Sequence, residues 1–183
     1  MSENLRFLFT GGPGAGKTTI LELLAQRGYT CVPEVAREII QKRRRQGFSP
    51  RPKPIEFARE ILDEDLRQYD AVNVEGPVFL DRGTPDALGM IYEAGSSLTH
   101  VQIIRHLYER PYNPTAFFFP YWEEIFKTDS ERDQSPEQAR SISDAIRNWY
   151  HSVGFTLVEV PRASPEERVT FILKQVESVR ASE

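Results

Sequence analysis

The chain has 183 residues, of which 39% are hydrophobic and 27% charged, a balance that suits a folded globular protein and excludes long disordered tracts. A formal net charge of −4 argues against a nucleic-acid binder, whose footprint is basic. The single cysteine, Cys31, excludes an internal disulfide and fits a reducing compartment. The opening MSENLRFLF shows no cationic segment followed by a long apolar stretch, and no run of about 18 apolar residues follows. A cytoplasmic protein with neither nucleic acid nor membrane as partner is expected.

Short apolar runs alternate with helical patterns along the chain. Residues 5–10, LRFLFT, read as a strand that ends in a glycine-rich loop. Thr18–Arg27 has helical spacing, with Ile20, Leu21, Leu24 and Ala25 on one face, and Gly28 stops it. Tyr29–Val32 is a second strand, with Cys31 a buried strand residue rather than a reactive thiol. Pro33 suits a first helical turn, and Glu34–Arg45 continues as a helix. The loop GFSPRPKP leads to a third helix near Ile55–Tyr69. Val78, Phe79 and Leu80 form a short buried strand, after which Thr84 caps a helix through Tyr92. Ser97–Tyr108 reads as a helix, Ala116–Phe119 and Phe155–Val160 as strands. Ser164 to Glu167 reads as the capping box of a last helix. This alternation calls for an α/β fold, a parallel sheet covered on both faces.

Gly11, Gly16, Lys17 and Thr18 satisfy G-x-x-x-x-G-K-[ST], with Gly12, Pro13, Gly14 and Ala15 between them. Small residues let the backbone N–H groups turn inward around a phosphate, and the following helix aims its positive end at the same anion. The apolar strand before the loop and the amphipathic helix after it are the context that such a phosphate-binding loop requires. Lys17 is placed to reach the β- and γ-phosphates of ATP, and the Thr18 hydroxyl to ligate Mg²⁺. Thr19 either contacts the α-phosphate or fills the first helical turn.

Asp81, at the end of the Val78 strand, is the best candidate for the carboxylate that shares Mg²⁺ with Thr18; a turn-forming aspartate is the plainer alternative. Arg82 either reaches a substrate anion or the phosphates, or pairs with a carboxylate. Glu34 should lie on the carboxyl edge of the sheet, near the phosphates, where it can orient or deprotonate a hydroxyl acceptor. A favourable acid at a helix N-terminus is the other reading of Glu34, and a solvated helix face the other reading of Arg37.

Together, GGPGAGKTT, PEVAREII, FLDRG, the stretch from Arg132 through Tyr150 and GFTLVEVPRASPEERVTFIL resemble bacterial P-loop ATP-binding proteins that carry an AAA-type label. Those proteins look like small-molecule kinases, such as the ribosylnicotinamide kinase domain and, more distantly, thymidylate and deoxynucleoside kinases. The resemblance implies a three-layer P-loop domain spanning residues 1–183, with strand order 2-3-1-4-5 and a lid at about residues 121–138. It also implies a lid arginine that closes over the transferring phosphoryl group, Arg132 first and Arg140 second, and adenine packed against Pro161–Ser164, where Arg162 can stack on it. The Pro33–Glu34 order departs from the Glu-Pro order of thymidylate and deoxynucleoside kinases, which weakens any case for a nucleoside acceptor.

Other features are less directive. Lys42–Arg45 is a basic run where cations suit a helix C-terminus. Phe117, Phe118 and Phe119 with Tyr121 and Trp122 read as core before pocket. His100, His106 and His151 lack metal-ligand spacing, so no zinc is expected. Phe126 before Lys127–Thr128–Asp129 breaks the guanine signature and favours ATP over GTP. The expected function is a kinase moving the γ-phosphoryl of Mg·ATP to a small metabolite. The competing reading is an ATPase switch or nucleotide sensor that acts on a protein partner.

Overall fold

The computed structural model describes residues 4–126 and 134–181. Five strands form one parallel sheet: β1 (Arg6–Gly11), β2 (Thr30–Val32), β3 (Val78–Asp81), β4 (Thr115–Phe119) and β5 (Thr156–Glu159). Their order across the sheet is β2-β3-β1-β4-β5, as the resemblance implies. The helices are α1 (Lys17–Gln26), α2 (Val35–Arg45), α3 (Pro54–Ala71), α4 (Thr84–Glu93), α5 (His100–Glu109), α6 (Pro136–Ser152) and α7 (Pro165–Ala181), with a 3₁₀ turn at Glu123–Ile125. No helix among the described residues is long and apolar enough to cross a membrane.

The central strand is apolar on both faces because helices cover both. Phe7 and Phe9 of β1 join Phe79, Phe117 and Phe119 against Ile20 and Leu24 of α1 and Val169, Ile172 and Val176 of α7. Ring centroids in this layer lie between 4.9 Å (Phe9–Phe119) and 6.0 Å (Phe7–Phe79), the spacing at which tilted aromatic pairs attract beyond their area burial. Leu8 points the other way, into a cluster with Val32, Leu80, Ala116 and Tyr150. The phenylalanine run of β4 is therefore core.

Parallel pairing puts the carboxyl ends of the strands on one edge. Phe9 pairs with Asp81 and Gly11 with Phe119, so the phosphate loop and Asp81 leave the sheet side by side.

Several local expectations change. Glu34 is the N-cap of α2 rather than a helical residue, because Pro33 ends the preceding strand instead of opening the helix. Gly83 is the N-cap of α4, and Thr84 already lies inside the helix with its hydroxyl 3.3 Å from the Tyr112 hydroxyl. The helix expected from Ser97 begins at His100, where Thr99 and Gln102 form a capping box. Helix α6, which has an amphipathic pattern and its own capping box from Ser135 and Gln138, adds to the elements expected from the sequence. The Ser164–Glu167 box forms as expected: the Glu167 amide donates to Ser164 Oγ at 3.4 Å and the Ser164 amide to the Glu167 carboxylate at 3.0 Å.

Candidate active site

The loop after β1 turns on glycines in backbone conformations that other residues rarely adopt. Gly11 has φ +127°, and a Cβ there would stand 2.1 Å from the Phe119 carbonyl oxygen. Gly16, the N-cap of α1, has φ +82° and frees the first amides of that helix to face an anion. Lys17 opens α1, only 7% exposed, and its Nζ donates to the Gly12 carbonyl at 3.1 Å. Burial, reinforced by the charge of Arg82, lowers the Lys17 pKa to about 8 despite the attraction of Asp81, Glu34 and Asp86.

Thr18 Oγ1 lies 3.5 Å from Asp81 Oδ2, and Asp81 Oδ1 is buried without a hydrogen-bond partner. Burial raises the Asp81 pKa, against the pull of Lys17. A hydroxyl and a carboxylate of this kind, one oxygen orphaned, are hard donors that fit Mg²⁺ and leave it free to keep waters and bind phosphate. Among the described residues no group of three or more His, Cys, Asp or Glu side chains is arranged to hold a metal.

Arg82, the residue after Asp81, has φ +68°, a left-handed backbone that costs about 1–3 kcal/mol for a non-glycine residue. Its guanidinium explains why the strain is tolerated. Nη1 donates to Asp86 at 2.8 Å, Nη2 to the Gly11 carbonyl at 2.9 Å, and Nε to Glu34 at 3.3 Å. Asp86 is a buried hub: it also accepts from Thr10 at 2.9 Å and from the Tyr150 hydroxyl at 2.6 Å. Arg82 therefore pairs with carboxylates and locks the root of the phosphate loop to β3. Asp86 was legible only as an acid in a first helical turn, and nothing local marks it as this hub.

Glu34 stands beside the loop as expected, accepting from Arg82 and, at 3.3 Å, from Arg37. Burial pushes its pKa up, but Arg82, Lys17 and Arg37 together hold it below the ordinary glutamate value. A cleft of about 1080 Å³ joins these residues: it is lined by Pro13 to Ile20, by Glu34, Arg37, Ile40 and Phe57, and by Trp122 and Arg162 to Pro165. Within that lining, Arg162 Nη2 donates to the Tyr121 carbonyl at 2.9 Å. Thr19 lines the cleft too and is exposed. Arg132 lies outside the described residues, and Arg140 is 65% exposed, 3.7 Å from Glu123.

Residues 6–168 match the model of a family described as an AAA domain. The chain belongs to that family. None of the curated proteins compared with it matches. Solved structures do match this AAA-domain protein. Deoxyadenosine kinase from M. mycoides with bound dATP is similar at TM-score 0.67 and 13% identity, covering 94% of this chain and 99% of that one. Thymidylate kinase from Candida albicans is similar at TM-score 0.61 and 13% identity, covering 99% and 94%. Shikimate kinase from Aquifex aeolicus is similar at TM-score 0.59 and 20% identity, covering 96% and 98%. At these identities the likeness is one of fold: a P-loop kinase sheet with helices on both faces.

Proposed function

We propose that this AAA-domain protein is a small-molecule kinase that transfers the γ-phosphoryl group of Mg·ATP to an oxygen of a small metabolite. One observation carries the reading. The cleft is lined not by the phosphate loop alone but also by Glu34, Arg37, Ile40 and Phe57. Its volume of about 1080 Å³ exceeds what one nucleotide fills and leaves room for an acceptor. That the solved structures sharing this sheet are kinases supports the same reading.

In this reading the acceptor oxygen attacks the γ-phosphorus, the bond to the bridging β–γ oxygen breaks, and ADP leaves. The loop amides and Lys17 bind the phosphates and stabilise charge on them. Glu34, held ionised by its arginines, accepts a hydrogen bond from the acceptor hydroxyl, orients it and takes its proton as the new O–P bond forms. Arg37 and Arg82 fix Glu34 and border the acceptor. Thr18 and Asp81 are the residues that would hold Mg²⁺, and the cation would supply charge neutralisation to the phosphates. Arg162 packs on the adenine, and a lid arginine, Arg132 before Arg140, closes over the phosphoryl group.

Incubation with Mg·ATP or Mg·GTP and a metabolite library, read by mass spectrometry, tests the proposal. Acceptor-dependent ADP release with a phosphorylated product is expected. Slow hydrolysis indifferent to every acceptor would replace the kinase with the switch.

A further inference from the structure

The two halves of the cleft differ in how their charges are balanced. Around Glu34 the cations meet acids: Arg82 and Arg37 share Glu34, while Arg82 also holds Asp86. The nucleotide side holds a cation with none. Arg168 of α7 lines the cleft and is 4% exposed. Among the described residues it makes one hydrogen bond, from Nη2 to the Ala15 carbonyl at 2.9 Å, and no ion pair. Its Nε is buried without a partner. Its guanidinium carbon sits 4.9 Å from the Phe119 ring centroid and 5.7 Å from that of Trp122, and Nη1 lies 2.8 Å from where a Cβ on Gly16 would stand.

Such a seat is expensive in the empty protein. Taking a guanidinium from water into a half-apolar niche is unfavourable unless an anion meets it. Burial alone lowers the Arg168 pKa to about 10, so the group stays cationic at neutral pH. Tethering the Ala15 carbonyl needs only a neutral donor such as an amide, so the tether does not explain the charge. The position narrows the anion. Arg168 lies one turn into α7, after the loop at which the proposed function places adenine, and reaches back to Ala15 and Gly16. No contribution from the Glu34–Arg82–Asp86 cluster perturbs it, which sets it apart from the acceptor.

We propose that Arg168 is a nucleotide-binding residue from outside the phosphate-loop motif, supplying the counter-charge to the diphosphate that ATP and ADP share. The inference rests on the reading of the cleft as a nucleotide site. It makes Arg168 a ground-state anchor: it tightens product as much as substrate.

Titration of wild type, Arg168→Gln and Arg168→Lys with ADP and with ATP, followed by calorimetry at low and high salt, tests this. Arg168→Gln keeps a donor for Ala15 and removes the charge. It should weaken ADP and ATP equally, by about 10- to 100-fold, the range for a lost hydrogen bond to a charged group. Arg168→Lys should recover most of the affinity, and the salt dependence of ADP binding should fall in the glutamine variant only. The apo melting temperature of Arg168→Gln should equal or exceed wild type, since an unpaired buried charge is gone. Unchanged ADP affinity in Arg168→Gln would overturn the inference while leaving the nucleotide site standing. So would equal losses in both variants with a lowered apo melting temperature, the mark of a structural tether, or a loss confined to ATP. Wild-type protein that binds neither nucleotide would remove the underlying reading itself.

Discussion

Lys17 should destabilise the empty protein it serves. Its pKa falls from 10.5 to about 8 on folding, chiefly through burial, and this balance already counts the attraction of Asp81, Glu34 and Asp86. The unfolded chain therefore binds the Lys17 proton more tightly than the native one. Below about pH 8 both states are protonated and the native state carries the full penalty; between about 8 and 10.5 the penalty is relieved as pH rises. At about 1.4 kcal/mol per pH unit, the gap amounts to about 3 kcal/mol. Lys17→Met, which keeps the aliphatic stem, should raise the melting temperature of the apo protein at pH 7 by about 6–12 °C, the scale for a chain of this size. The same variant should lose the stabilisation that Mg·ATP gives wild type. Thermal melts by circular dichroism, with and without nucleotide, across pH 7 to 10.5 provide the assay. An apo variant that melts below wild type at pH 7, or a difference that does not shrink as pH rises, refutes the reasoning.

Three further outcomes follow from particular contacts. Asp86→Asn takes the charge from the hub that pairs with Arg82 at 2.8 Å, and urea unfolding should show a loss of about 3 kcal/mol, with a loss under about 1 kcal/mol disproving the hub. Asp81→Asn should leave Mg²⁺-free nucleotide binding intact and abolish the added melting shift that Mg²⁺ gives; a retained Mg²⁺ increment would move the metal site elsewhere. Burial raises the Cys31 thiol to about 11, so iodoacetamide at pH 8 should label it about a hundredfold more slowly than a free cysteine, and fast labelling would contradict its strand seat.

Where function is written in short-range pattern, the chain declares it. The spacing from Gly11 to Thr18 specifies a phosphate loop because every amide that cradles the anion belongs to that one turn, and its glycines are demanded by local backbone geometry. The place of Asp81 beside the loop was legible for a similar reason: a buried apolar strand in a parallel sheet must end at the same edge as its neighbour, and the last residue of VFLD is acidic. Element order followed from periodicity except at α6, whose heavily polar sequence buries only a few residues.

What tertiary structure alone decided are the partners of the charges. Arg82 meets Glu34 across 48 positions and Gly11 across 71, and Arg168 meets Ala15 across 153. An arginine's sequence neighbours say nothing of whether it ends in water, against a carboxylate or over a ring, since its long stem reaches whatever packing brings near. The phosphate loop was fixed by the residues that compose it; the balance of charge around it was fixed by side chains that packing brings in from α2, β3, α4 and, at the far end of the chain, α7.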